Sequence, residues 1–420
     1  MSDTAATEGS VKPGEKRGSV LGGAVIVAGT AIGAGMFSLP VATSGVWFGY
    51  SLLLMLAVWY CMYSASLYLL EANLRLPWGS SFDSIAEATI GPVGRIINGA
   101  SVAFLCYILT YAYISGGSSI ITYSLAAVEG ISLLPAVASF IFALLLAAIV
   151  VTGTWAVDRV STVLVGGMVI TFLWSISGLV SNASMDNLLP GLSFAEAFPY
   201  SFGALGFLTV SFGMQTAVPS LSRYLVKDHR KVRLALLAGS LLTLAFYVLW
   251  QFSFFGNLPR SAFPAIISAG GNIGNMIEAL ASSGLSVDIS SVLQWFANMA
   301  VASSFLGVSL CLFDYIADLF GFDNSFAGRL KTAAITFVPP TLLGVFLPNG
   351  FITAIGFAGL VLVVFCILSP VLMAWIGRQR GDGGYQVPGG KLRMAVIFLF
   401  GIVAMVLAAL DLLGLLPRFG

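Results

Sequence analysis

Two apolar stretches carry the residues whose types and spacing could do chemistry, Gly29-Thr-Ala-Ile-Gly-Ala-Gly-Met-Phe-Ser-Leu-Pro40 and Ser211-Phe-Gly-Met-Gln-Thr-Ala-Val-Pro219. The chemistry is recognition by backbone groups, not bond-making. Glycine and proline interrupt what would otherwise be regular helix, and an interrupted helix leaves N–H and C=O groups without partners. In hydrocarbon such groups persist only where they line a cavity or hold a ligand. Two matching interruptions therefore mark a binding site inside a membrane.

The elements that must hold these breaks are membrane helices. Hydrophobic residues make up 58% of the 420 and charged residues 9%, a balance foreign to soluble domains. Runs of about 20 apolar residues predict eleven helices, at about 19-43, 47-71, 95-127, 133-153, 160-181, 196-222, 232-256, 287-320, 330-348, 351-376 and 393-416. The fold class is thus an all-α polytopic membrane protein. The first apolar run continues through Pro40 with no small-residue cleavage site, which predicts a retained helix and not a signal peptide. With the N-terminus in the cytoplasm, seventeen of the nineteen Lys and Arg residues fall inside and only Arg260 and Arg418 outside. A span missed or invented would put whole basic loops on the wrong side, so the C-terminus is predicted outside.

Several chemistries are excluded by what is missing. The formal net charge is +1, which gives no reason to expect a nucleic-acid partner, and the basic run Arg223 to Arg233 reads as a topology anchor. Cys61, Cys106, Cys311 and Cys366 fall within predicted spans without paired spacing, as core residues would. The only histidine, His229, lies in the basic loop. With no His/Cys cluster, no buried carboxylate pair and no Ser/His/Asp set, an intramembrane hydrolase or metalloenzyme has almost nothing to work with.

The breaks fall in the first and sixth predicted spans, five apart. Spans one to five, residues 19-181, therefore overlay on spans six to ten, residues 196-376. A polar cytoplasmic tail, 1-18, precedes them, and helix eleven with the outer C-terminus, 393-420, follows. An odd number of spans per half inverts the second repeat, which places the site at their interface near the bilayer midplane.

Further segments carry a resemblance. Besides the first break, Leu70-Glu-Ala-Asn73, Gly79-Ser-Ser-Phe-Asp83, Tyr107-Ile-Leu-Thr-Tyr-Ala-Tyr-Ile-Ser115, Ala300-Val-Ala-Ser-Ser-Phe-Leu-Gly307 and Phe313-Asp-Tyr-Ile-Ala-Asp-Leu-Phe-Gly-Phe322 resemble the bacterial aromatic amino acid permeases. These are the tryptophan- and tyrosine-specific members of the hydroxy and aromatic amino acid permease family, within the amino acid, polyamine and organocation superfamily. The resemblance implies a leucine-transporter type of fold, with an inverted five-plus-five repeat and broken helices one and six. It also implies import of an aromatic amino acid across the inner membrane by ion-coupled symport with alternating access, hence a transporter and not an enzyme, and no prosthetic cofactor follows from it.

A zwitterionic substrate at the midplane needs donors for its carboxylate and acceptors for its ammonium, which unwound backbone supplies without buried side-chain charge. Ile32, Gly33, Ala34 and Gly35 would present such groups on the first helix, and Ser211, Phe212 and Gly213 on the sixth. An indole or phenol ring calls for an apolar pocket with a few polar tips. Tyr107 and Tyr111, one helix face at i and i+4, with Phe212, Gln215 and Phe357 are candidates, whereas Tyr113 points elsewhere.

The coupling ion is read from departures. The permeases this chain resembles carry a lysine where it has Gly166-Gly-Met168 and a histidine where it has Gly213-Met-Gln215, and neither Met168 nor Gln215 titrates. Superposition on the leucine-transporter pattern sets the carbonyls of Gly29 and Ile32 opposite Ala300 and the hydroxyls of Ser303 and Ser304, a candidate sodium site. Sodium is favoured, with proton coupling as the alternative. A serine/threonine permease of the same family is a second transport reading, and a channel or sensor sharing the fold a third. Membrane lipid is the remaining expected partner.

Overall fold

The computed structural model describes residues 18–77, 80, 82–129, 132–381 and 384–420, with the side chains of Ala34 and residues 127–129 excepted. Lys12, Lys16 and Arg17 of the expected tail, and Gly79 and Ser81 of one quoted motif, lie outside the described residues. Every regular element among the described residues is helical, because only a helix satisfies each backbone group within its own segment.

In chain order the first half comprises α1 (Val20–Ala31), α2 (Ser38–Ala42), α3 (Trp47–Leu74), α4 (Phe82–Ile90), α5 (Pro92–Glu129), α6 (Pro135–Thr152) and α7 (Thr154–Ser181). Short α8 (Met185–Leu188) and α9 (Phe194–Ala197) lead to α10 (Ser201–Ser211) and α11 (Val218–Tyr224). Next come α12 (His229–Asn257), the short α13 (Phe263–Ser268) and α14 (Ile273–Ser282), and the long α15 (Val287–Phe320). The chain closes with α16 (Phe326–Phe346), α17 (Phe351–Val363), α18 (Ser369–Gln379) and α19 (Gly390–Leu412).

Nine helices among the described residues are long and apolar enough to cross a membrane, or ten if α1 and the bent piece after it form one span. Of the eleven spans expected, α16 is the one left out of that count. Its 21 residues include Arg329, Lys331 and the internal Pro339 and Pro340, which dilute its apolar character.

The packing brings both breaks to the middle. α1 lies along α12, α15 along α7 and α5, and α17 against α5 and α10. One continuous apolar cluster runs through these contacts. Large apolar side chains such as Val163, Ile170 and Trp174 are exposed, the pattern of a surface solvated by lipid.

Candidate functional site

Both expected interruptions are present and built alike. α1 ends at Ala31, Ile32 and Gly33 are extended, and Ala34–Phe37 make a single 3-10 turn before α2. The two helical pieces are bent by 56°. α10 ends at Ser211, Phe212 and Gly213 leave the helical path with ψ of 23° and 52°, and Met214–Ala217 form the matching 3-10 turn before α11. Pro40 and Pro219 each sit in the first turn of the resumed helix, where a missing N–H removes no hydrogen bond.

Each break therefore joins a carbonyl-bearing helix end to an N–H-bearing helix start, opposite partial charges facing one short gap. The N–H groups of Gly33 and Gly35 donate to no carbonyl among the described residues. These are donors of the kind a carboxylate would take.

A single hydroxyl ties the two carbonyl ends together. Tyr247, in the middle of α12 and fully buried, lies 2.7 Å from the Ala31 carbonyl and 2.6 Å from that of Ser211. A phenol has one proton, so it is shared between two carbonyls. Phe212 packs edge-on against the same ring at 5.2 Å. The Ser211 hydroxyl turns back to the Phe207 carbonyl at 2.9 Å, leaving its own carbonyl to Tyr247.

α15 supplies the facing wall. A Cβ on Gly33 would sit 2.9 Å from the Ser304 hydroxyl oxygen, so the absent side chain is what lets that hydroxyl reach the break. Ser303 donates to the Ala300 carbonyl at 3.1 Å, which commits its proton and leaves its lone pairs as acceptors. Gly29 instead occupies an exposed face of α1, with open space where a Cβ would be. Gln215 is fully buried, and its Nε2 donates to the Met62 carbonyl at 3.0 Å. Its Oε1 has no partner among the described residues, a buried acceptor beside the second break.

The expected aromatic candidates divide. Tyr107 donates to the Ile335 carbonyl at 2.9 Å and Tyr111 to that of Leu347 at 2.8 Å, so both hydroxyls are spent on α16 and its C-terminal end. Phe357 is 38% exposed. Tyr113, expected to point away, is buried. Phe37, just past the first break, meets Trp250 at 5.3 Å and Phe296 at 5.6 Å. Tyr247 and this aromatic group escaped the sequence reading. The available signal was a tyrosine near the centre of the seventh span, flanked by the polar Thr243 and Gln251.

Beyond the breaks lies a cavity of about 210 Å3, lined by Val41, Tyr200, Phe207, Ile352 and Asp411 among others. The Phe419 ring lies against Tyr200 and takes the Arg260 guanidinium at 4.1 Å.

Residues 16–408 match the model of the tryptophan/tyrosine permease family. The tryptophan-specific transport protein of Pseudomonas aeruginosa (strain UCBPP-PA14) is 47% identical over 96% of this chain and 97% of its own. The low affinity tryptophan permease of Escherichia coli (strain K12) is 38% identical over 97% and 99%, and the tyrosine permease of Enterobacter agglomerans 33% over 95% and 98%. Among solved structures, the crystal structure of MhsT in complex with L-phenylalanine matches with a TM-score of 0.60 at 15% identity, covering 95% of this chain and 100% of that one. That likeness concerns the fold alone, and it is the leucine-transporter type expected from the two breaks.

Proposed function

The chain belongs to the tryptophan/tyrosine permease family, and we propose that it imports tryptophan or tyrosine by sodium-coupled symport with alternating access. It is a multi-pass membrane permease and not an enzyme. The bacterial inner membrane is its expected location, with the N-terminus cytoplasmic and the C-terminus periplasmic, and residues 19-181 and 196-376 are the two inverted repeats.

In this reading the Gly33 and Gly35 N–H groups hold the substrate carboxylate, and the carbonyl ends at Ile32 and Phe212 hold its ammonium. Phe37 and Phe212 offer ring contacts. The orphan Gln215 Oε1 is an acceptor suited to an indole N–H or a phenol O–H. Relatives named for tryptophan and tyrosine support that substrate class.

The observation that carries sodium is the approach of Ser304 to Gly33, with Ser303 keeping its lone pairs free. Hard oxygen ligands of this kind suit an alkali cation without any acid. The α7 wall supports the same reading, because Gly167 packs on the Met299 thioether next to Ala300 and no ammonium is there to replace a cation. Uptake of labelled tryptophan and tyrosine into proteoliposomes is measured under an inward sodium gradient at equal pH, and under a pH gradient without sodium. Sodium-driven uptake is expected, with excess serine failing to compete. Ser303→Ala and Ser304→Ala should each raise the sodium concentration for half-maximal uptake roughly tenfold, the loss of one oxygen ligand at about 1.4 kcal/mol. Uptake driven by protons and indifferent to sodium overturns the coupling; competition by serine overturns the substrate.

A further inference from the structure

A cavity of about 460 Å3 lies at the start of α12, which follows the second break after the short α11, and its walls include His229, Arg230, Arg233, Leu234, Leu237 and Tyr385. The size is that of a small-ligand site. Among the described residues neither Arg230 nor Arg233 has a carboxylate in salt-bridge range. The nearby Asp228 is occupied, capping α12 and pairing with Lys231 at 3.4 Å. Glu71, the buried carboxylate at this end, is already engaged by Arg75 and Arg378. The cavity therefore holds positive charge with no carboxylate partner among the described residues.

Tyr385 adds a polar tip. Its ring stacks on His229 at 5.3 Å, and its hydroxyl is buried without a partner among the described residues. Burial raises the pKa of that hydroxyl and the neighbouring Arg233 opposes the rise, so donor and cation sit together.

Below the basic residues the wall becomes apolar. Arg230, Leu234, Leu237 and Leu241 recur at i, i+4, i+7 and i+11 on one face of α12, and Leu234 and Leu241 are 53% and 43% exposed. An anionic head above an apolar stripe on a membrane-spanning helix is the outline of an amphiphile. We propose that this cavity binds one anionic glycerophospholipid, its phosphate held by Arg230, Arg233 and the Tyr385 hydroxyl, and one acyl chain laid along Leu234 and Leu241. A free phosphate would use the head of this site and leave the leucines idle, which is why the lipid is the occupant.

The full chain is reconstituted into mixed phosphatidylglycerol and phosphatidylcholine nanodiscs, and the lipids retained after detergent extraction are quantified by native mass spectrometry. Selective retention of one phosphatidylglycerol is expected. Each arginine contributes roughly fivefold, so Arg230→Gln with Arg233→Gln should lower retention about 25-fold. Exchange of both for lysine should restore most of it, and Leu234→Ser should weaken it while sparing any affinity for inorganic phosphate. Tyr385→Phe, which removes a single hydroxyl, gives a milder loss and keeps the test open should the double variant not fold. Unchanged retention in the charge-removed variant overturns the site, leaving these arginines as topology anchors alone. Displacement of the lipid by inorganic phosphate, or an equal loss in the control Lys231→Gln, overturns it as well.

Discussion

The middle of the bundle and its basic end face the same difficulty, polar groups surrounded by apolar ones, and resolve it with opposite chemistry. At the middle there is no formal charge. Two carbonyl ends share the Tyr247 proton, and the N–H groups of Gly33 and Gly35 donate to no carbonyl among the described residues. At the end of α3, Glu71 is completely buried and accepts from Arg75 at 2.9 Å, from Arg378 at 2.7 and 2.6 Å, and from the Val387 N–H at 2.8 Å. Neutral hydrogen bonds are worth about 1 kcal/mol each and exchange readily, whereas a buried ion pair resists the removal of either partner. The comparison separates a part that must let a ligand in from a part that must hold helices together.

The sharpest way to break this contrast is at Glu71. Glu71→Gln leaves two guanidinium groups, 7% and 17% exposed, without their anion. The expected loss is about 3–5 kcal/mol of stability, read as a large fall in the melting temperature of the detergent-solubilised protein. Asp83→Asn is the counterpart. It touches Arg95 in a pair where both side chains are about half exposed, and such pairs contribute about 0–1 kcal/mol. Equal melts for the two variants would show that burial does not distinguish the basic end.

The second test addresses the middle. Tyr247→Phe keeps the ring and its contact with Phe212 but strips both carbonyls of their donor, at about 1–3 kcal/mol. Because those carbonyls close the two half-helices, the effect is expected in transport more than in melting: a lower maximal rate and a raised half-saturation for substrate. A variant that melts early yet transports normally when folded would reassign Tyr247 to plain packing.

Much of this layout was legible in the sequence. Long apolar runs announce helices because the membrane leaves no alternative, and Gly-Pro clusters announce breaks because proline cannot donate and glycine leaves room. Both interruptions appear within the segments quoted for them. Side-chain direction was less legible. The i, i+4 spacing correctly put Tyr107 and Tyr111 on one face of α5, yet spacing within one helix does not say which neighbour that face meets. It meets α16. Tyr247 was hidden for the related reason that its partners, Ala31 and Ser211, are 216 and 36 residues away. The α7 and α15 pairing through Gly167 and Met299 likewise exists only after folding.

Tyr111 gives the smallest expected effect and the finest test of where the centre ends. Its hydroxyl donates to the Leu347 carbonyl, and a Cβ on Gly350 would fall 1.5 Å from the same oxygen. The phenol is thus wedged into the turn between α16 and α17, a strut and not a pocket wall. Tyr111→Phe removes one neutral hydrogen bond, about 1 kcal/mol, and should leave the order of preference among tryptophan, tyrosine and phenylalanine in competition assays unchanged. Gly350→Ala should be far more damaging despite adding only a methyl group, because neither the ring nor the turn has anywhere to go. If Tyr111→Phe instead reorders the competing substrates while Gly350→Ala is tolerated, the hydroxyl leaves the turn during transport and faces substrate. The neutral centre would then extend along α5 as far as Tyr111.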